Sequence, residues 1–142
     1  MPDDSEWSEE ISEIVDRFQS CFDDMERLEL LFEYAEKHPS NLPMEMWNDE
    51  NMVHGCQSRA HVVCSLNGEG GFMAEGGADA QIVQGLMAIT AIAVNGQPPE
   101  KVAEHDPSYI EGMGLSRILT PSRANGFMNM VSKVKKEASS LM

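Results

Sequence analysis

Hydrophobic positions recur along this chain in two different rhythms. Ile11, Ile14, Val15, Phe18 and Phe22 are spaced by threes, fours and sevens, which predicts an amphipathic helix. A second helix is predicted from about Asp24 to Lys37, with Met25, Leu28, Leu31, Phe32 and Ala35 on its apolar face and Pro39 beyond its end. Ser40, Asn41 and Pro43 then read as loop, and Pro43 to Asn51 is irregular apart from Trp47. From Arg59 to Leu66 the rhythm shortens to that of a strand. Asn67-Gly68-Glu69-Gly70-Gly71 is a turn, Phe72 to Glu75 is the returning strand, and Gly76-Gly77-Ala78 leads onward. A short strand around Met52 to His54 is expected to complete a small antiparallel sheet of about three strands.

Residues 80–94 are apolar almost all round, the pattern of a central buried helix, with Asp79 as its expected N-cap and Asn95-Gly96 as its stop. Pro98-Pro99 opens a short helical piece to Glu104, and another is expected from Pro107 to Met113. Thr120-Pro121 is an N-cap followed by proline at the first helical position. The last helix aligns Phe127, Met130, Val131, Val134, Ala138 and Leu141, with Lys133, Lys135 and Lys136 near its end, where cations suit the helix dipole. Helices, a small antiparallel sheet and helices again make the fold class α+β, with the sheet packed against helices.

Length and composition narrow the function. The 142 residues suit one domain, 1–142, with residues 1–10 expected to fray. The formal net charge is −14, and residues 1–50 hold 16 acids against 3 bases, while residues 51–142 hold 8 against 7. Phosphate backbones and anionic lipids are bound by Lys and Arg, so nucleic acid and membrane are not expected partners. The acidic half provides solubility, or steers the chain toward a basic patch on a protein. There is no secretory signal pattern and no long apolar run, so the cytoplasm is the expected location. Cys21, Cys56 and Cys64 are an odd number, expected as free thiols.

Cys56 stands out among them. In Val53-His54-Gly55-Cys56-Gln57-Ser58 it is a lone cysteine in a short turn, without the regular ligand spacing of a metal cage. Cys21, on the first helix, and Cys64, in an apolar strand, read as core. His54 can raise the thiolate fraction of Cys56 or be an ordinary strand-end histidine, and His61 can face the same loop. Arg123 is a cation in the first turn of the last helix, where the dipole disfavours it. Met44, Met46, Met52 and Trp47 flank the cysteine turn, as a contact patch or as packing beneath it.

Three segments in order resemble the SufE family of sulfur acceptors, which includes CsdE: Val53 to Ser58, Asp79-Ala80 with Ile82-Val83-Gln84-Gly85-Leu86, and Leu119-Thr120-Pro121-Ser122-Arg123-Ala124-Asn125-Gly126. The resemblance spans roughly residues 11–142 and implies a SufE/IscU-like fold. It implies that Cys56 accepts sulfane sulfur from a pyridoxal-phosphate cysteine desulfurase (SufS/CsdA-like), stimulates it, and passes the sulfur toward a SufB-like iron–sulfur scaffold. The pyridoxal phosphate is then the partner's, and this chain needs no cofactor or metal and is not itself an enzyme. His54, Gly55, Gln57 and Ser58 become the supporting loop. Gly55 allows close approach, and Gln57 and Ser58 offer donors to a persulfide anion. Arg123 and Asp79 are placed at the loop or the partner interface, Arg123 otherwise being a surface arginine paired with an acid. A monomer or weak homodimer is expected. The chain departs from the family pattern at His61, where relatives often carry tryptophan, and at Ala78, where they often carry serine.

Two other functions compete. One is a metal-binding or iron–sulfur scaffold built on Cys56, Cys64, His54 and His61, although residues 61 and 64 fall on opposite faces of a strand. The other is a cysteine hydrolase, which needs a base beside the thiolate and an oxyanion hole.

Overall fold

In the computed structural model, residues 9–37, 42–53, 59–105 and 107–141 are described. The elements are α1 (Glu9–Gln19), α2 (Asp24–Glu36), a 3-10 turn (Met44–Met46), β1 (Ala60–Leu66), β2 (Phe72–Ala78), α3 (Gln81–Val94), α4 (Pro99–Ala103), α5 (Tyr109–Gly112), a second 3-10 turn (Leu115–Arg117) and α6 (Pro121–Ser140).

The first helix buries Ile11, Ile14, Val15 and Phe18, as its spacing predicts. It starts at Glu9, so residues 9 and 10 are helical rather than frayed, and it ends before Phe22, which is 91% exposed instead of joining the apolar face. The next helix is capped reciprocally. Asp23 accepts from the Glu26 amide at 2.9 Å, and the Glu26 carboxylate accepts from the Phe22 amide at 2.7 Å. α2 buries Leu30 and Leu31, and the expected core residue Met25 faces solvent.

α3 is the axis of the molecule, with nine buried residues from Val83 to Val94. It packs on α2 at Gly85, where even a methyl group would meet the Leu31 carbonyl at 2.6 Å, and on β2 at Gly76, where it would meet Met87 Sδ at 2.9 Å. α6 begins as predicted. The Thr120 hydroxyl accepts from the Arg123 amide at 3.2 Å and Pro121 follows. Its last turn carries no basic residue, because the lysines fall short of it. Lys133 instead donates to the Glu50 carbonyl at 3.3 Å and pairs with Glu137 at 3.6 Å.

β1 and β2 are antiparallel, from Ala60 opposite Ala78 to Leu66 opposite Phe72. Asn67 closes the hairpin, its side-chain oxygen accepting from the amides of Glu69 and Gly71. Two strands are present among the described residues, not three. Around Met52 the pairing shrinks to a single bridge with His61, since the chain has only just left the tight turn at Asn48–Asn51. β2 runs through Gly76-Gly77, beyond its expected end at Glu75. Even-numbered strand residues face the helices. Ala60, Val62, Phe72 and Ala74 join the core there, and Cys64 meets Glu137 of α6.

Candidate functional site

His54, Gly55, Cys56, Gln57 and Ser58 lie outside the described residues, so the site is described through the frame that carries them. The chain enters the segment at Val53 and leaves it at Arg59. The Val53 amide donates to the Ala60 carbonyl at 2.8 Å and the Val62 amide to the Asn51 carbonyl at 2.8 Å, so the two stems are paired. Val53 is buried and anchors the entry in the core.

Asp79 anchors the exit. Its carboxylate accepts from the Arg59 amide at 3.0 Å, and its own amide donates to the Arg59 carbonyl at 3.0 Å. This corrects the expectation that Asp79 caps the central helix. The N-cap is Ala80, whose methyl side chain offers no capping bond, while the Asp79 carboxylate is engaged across the sheet. Asp79 thus holds the start of the strand at Arg59.

The opposite face of the sheet has one local cover. His61 and Gly77 are register partners, and the Trp47 indole lies over them. The rings of Trp47 and His61 stack with centroids 5.2 Å apart and planes 16° apart, and the Arg59 guanidinium lies 5.4 Å from the Trp47 centroid. Gly77 makes this possible, since a methyl there would sit 2.7 Å from Trp47 Nε1. The indole N–H donates to the Leu42 carbonyl at 3.1 Å, and the Leu42 amide donates to Gly76 of β2 at 2.9 Å. Trp47 is therefore packing, whereas Met44 and Met46 beside it are exposed and Met52 is half-buried.

His61 is only 3% exposed, and its Nδ1 meets no hydrogen-bond partner among the described residues. Burial, and secondarily the Arg59 cation, pushes its pKa below 6.5, with Asp49 and Asp79 opposing. The ring is thus neutral at pH 7.

Cys64 is half-buried against α6 rather than fully in the core. Burial and then the neighbouring Glu137 carboxylate push its thiol far up. Cys21 lies just beyond the end of α1 instead of within it, partly buried, and burial followed by Glu26 raises its thiol from 9.0. Both are free and both are protonated at neutral pH. His61 under Trp47 and Cys64 beside α6 occupy opposite faces of β1, and among the described residues no three His, Cys, Asp or Glu side chains gather as a metal site.

Arg123 is half-buried in the first turn of α6. Lys133 lies beside Glu50, whose neighbour Asn51 pairs with Val62, and Glu137 lies beside Cys64, so α6 runs in the same direction as β1 and points its Arg123 end toward the start of that strand. The acidic half of the chain lines a groove of about 690 Å³ between α1 and α2, with Asp16, Glu29, Glu33 and Glu36 on its walls; it shares no residue with the stems. No helix among the described residues is long and apolar enough to cross a membrane. The feature missed in the sequence is the Trp47 seat. Two glycines inside a strand were its signal, marking places where other groups come close on either face.

Comparison with known proteins agrees with this architecture. Residues 12–138 match the family model for SufE, described as an Fe-S metabolism associated domain. An uncharacterized SufE-like protein of Synechocystis sp. is 37% identical over 133 residues, covering 90% of this chain and 79% of that protein. The solution structure of a hypothetical protein from Thermus thermophilus superposes with a TM-score of 0.74, covering 92% of this chain and 94% of that one. At 23% identity it is similar in fold alone.

Proposed function

The chain belongs to the SufE family, a domain associated with Fe–S metabolism, and from that premise we propose that it is a persulfide carrier with Cys56 as the acceptor. A cysteine desulfurase bearing pyridoxal phosphate forms a persulfide on its own cysteine. The Cys56 thiolate attacks the outer sulfur of that persulfide. A new S–S bond forms at Cys56, the partner's S–S bond breaks, and the partner leaves as a thiolate, so no outside oxidant or reductant is needed. Taking up the sulfur frees the desulfurase for another cycle, which is how the carrier stimulates it. The sulfur then passes to an iron–sulfur scaffold of SufB-like kind.

The observation that carries this reading is the state of the other two sulfurs, which leaves Cys56 as the acceptor. Cys64 and Cys21 are both held as thiols by burial and by acids, which makes them poor nucleophiles. Cys56 belongs to the segment between Val53 and Arg59, whose flanking residues are paired with each other, with Asp79 bonded to Arg59. Arg123, at the α6 end directed toward the start of β1, is assigned to the loop environment or the desulfurase interface. We place the protein in a reducing compartment, the cytoplasm, in keeping with Cys21 and Cys64 being free.

Incubation with a desulfurase and L-cysteine, followed by intact-mass analysis, tests the reading. Wild type gains about 32 Da per added sulfur atom, mapped to Cys56, and Cys56→Ser gains none and no longer stimulates the desulfurase. Undiminished stimulation by Cys56→Ser refutes it.

A further inference from the structure

We propose that the groove between α1 and α2 is a docking surface, and that its occupant is a basic amphipathic helix of a protein partner. The sequence pattern puts Met25, Leu28 and Phe32 on the apolar face of α2, but the core takes Leu30, Leu31 and Tyr34 from this helix instead. Met25 is left 64% exposed, and Leu28 and Phe32 are only half-buried. Just before the helix, Phe22 is exposed as well. Large apolar side chains at helical spacing on the surface mark a face that a partner covers.

The face has the shape of a helix seat. Met25, Glu29, Phe32 and Glu36 follow one another by four, three and four positions, so they form one stripe along α2. Glu29, Phe32 and Glu36 line the groove of about 690 Å³, and Met25 continues the stripe past it. Phe22 stands at the same end, its amide donating to Glu26 of the groove wall at 2.7 Å. From Met25 to Glu36 the stripe runs about 16 Å, room for about three turns of a second helix laid along the first. A docked helix presents its anchors with the same repeat that α2 offers here.

Charge selects the occupant. Among the described residues, the walls carry five acids, Asp16, Glu26, Glu29, Glu33 and Glu36, against the one base Arg17. That base is already engaged, donating to the Tyr34 hydroxyl at 2.7 Å and lying 3.8 Å from Glu33. Asp16, Glu29 and Glu36 are exposed. A helix whose apolar side chains are flanked by lysine or arginine meets opposite charge there, while its apolar face meets Met25 and Phe32. Two occupants from this chain itself fit badly. A second copy brings a net charge of −14, and residues 1–8 bring Asp3, Asp4 and Glu6 with no lysine or arginine. The groove is lined by residues between 16 and 36 alone, so the inference stands apart from the carrier reading.

Fluorescence anisotropy tests the proposal, with a fluorescein-labelled peptide of leucine and lysine, about 18 residues or about five helical turns long, as the probe. In one version the leucines recur at helical spacing; in the other the same residues are scrambled so that no apolar face forms. The full chain binds the patterned peptide about tenfold or more tightly than the scrambled one. The double variant Glu29→Lys with Glu36→Lys and the double variant Phe22→Ser with Met25→Ser each weaken that binding about tenfold. Glu100→Lys with Glu104→Lys, which reverses two exposed acids outside the groove, stays within about twofold of wild type. The two charge-reversed proteins carry the same net charge, so only position separates them. Circular dichroism establishes that each variant is folded. No preference for the patterned peptide, equal weakening by the two charge reversals, or full binding by Phe22→Ser with Met25→Ser overturns the proposal. So does a wild-type dimer in sedimentation velocity that Glu29→Lys with Glu36→Lys dissociates, which assigns the groove to a second copy. Peptide binding about tenfold tighter after removal of residues 1–8 assigns it to the chain's own start and overturns the proposal too.

Discussion

Replacing Gly85 by alanine sets two effects of opposite sign against each other. In an exposed helix interior the change stabilises by about 1 kcal/mol, because alanine loses less backbone entropy than glycine. Here the new methyl meets the Leu31 carbonyl oxygen at 2.6 Å, with Leu31 Cδ1 at 2.8 Å and Cγ at 2.9 Å. The Leu31 side chain can rotate away, but the carbonyl belongs to the backbone of α2 and moves only if the two helices separate. Ordinary contact begins near 3.4 Å, so the helices must part by most of an ångström. Overpacking of this kind costs about 1–3 kcal/mol, and a backbone obstacle puts it in the upper part of that range. The clash wins, leaving a net loss of about 1–2 kcal/mol. Equilibrium urea unfolding followed by circular dichroism measures it. With a slope of about 2 kcal/mol/M the midpoint falls by about 0.5–1 M. Gly68→Ala, where a methyl meets nothing within 4 Å, is the control and stays within about 0.5 kcal/mol of wild type. A Gly85→Ala protein as stable as wild type, or more so, would show that α2 and α3 are not in backbone contact there.

The remaining predictions concern the site. Because the pKa of His61 is lowered in the folded state, the unfolded chain takes up the proton first as pH falls below 6.5; stability is fully present above that pH and declines below it. Compared with His61→Phe, the wild type loses at most about 1.4 kcal/mol more per pH unit between pH 6.5 and the lowered value, and parallel thermal-denaturation profiles for the two proteins would contradict this. Cys21→Ala and Cys64→Ala retain sulfur acceptance, since both thiols are held protonated; peptide mapping that finds the added sulfur on Cys64 overturns the assignment. Arg123→Ala weakens desulfurase activation by about tenfold while the melting temperature moves only slightly, and a large loss of melting temperature with normal activation reverses that assignment.

Elements whose signal is local were legible in the sequence. The stripe of Ile11, Ile14, Val15 and Phe18, the Thr120-Pro121 start of α6 and the Asn67 to Gly71 turn all appear where the pattern puts them. Legibility failed where distant groups decide. Nothing near Phe22 says that α1 stops at Gln19, and nothing in the α2 stripe says that Met25 faces solvent while Leu30 is buried. Gly76 and Gly77 have poor strand propensity, yet they are strand because Met87 and Trp47 occupy the space their side chains would need. Asp79 has the chemistry of a helix cap and uses it on Arg59, a choice visible only once β1 and β2 are paired. At the site itself, local pattern singled out Cys56, Asp79 and Arg123, and the family resemblance gave them roles. Trp47 was noticed as a neighbour of Cys56 in sequence, but its stack on His61 joins residues fourteen positions apart, and the glycines of β2 were its one sequence signal.

Gly76 and Gly77 are adjacent, but they answer to different masters, one to the sulfur of Met87 and the other to the ring of Trp47. Neither position is free to vary alone. A descendant lineage that gains bulk at 77 must shrink residue 47 within the same few mutational steps, and one that gains bulk at 76 must trim residue 87. Pairs at 47 and 77, and at 76 and 87, should therefore change in concert across descendants of this chain, leaving a record of the two crowded spots that can be read without any structure.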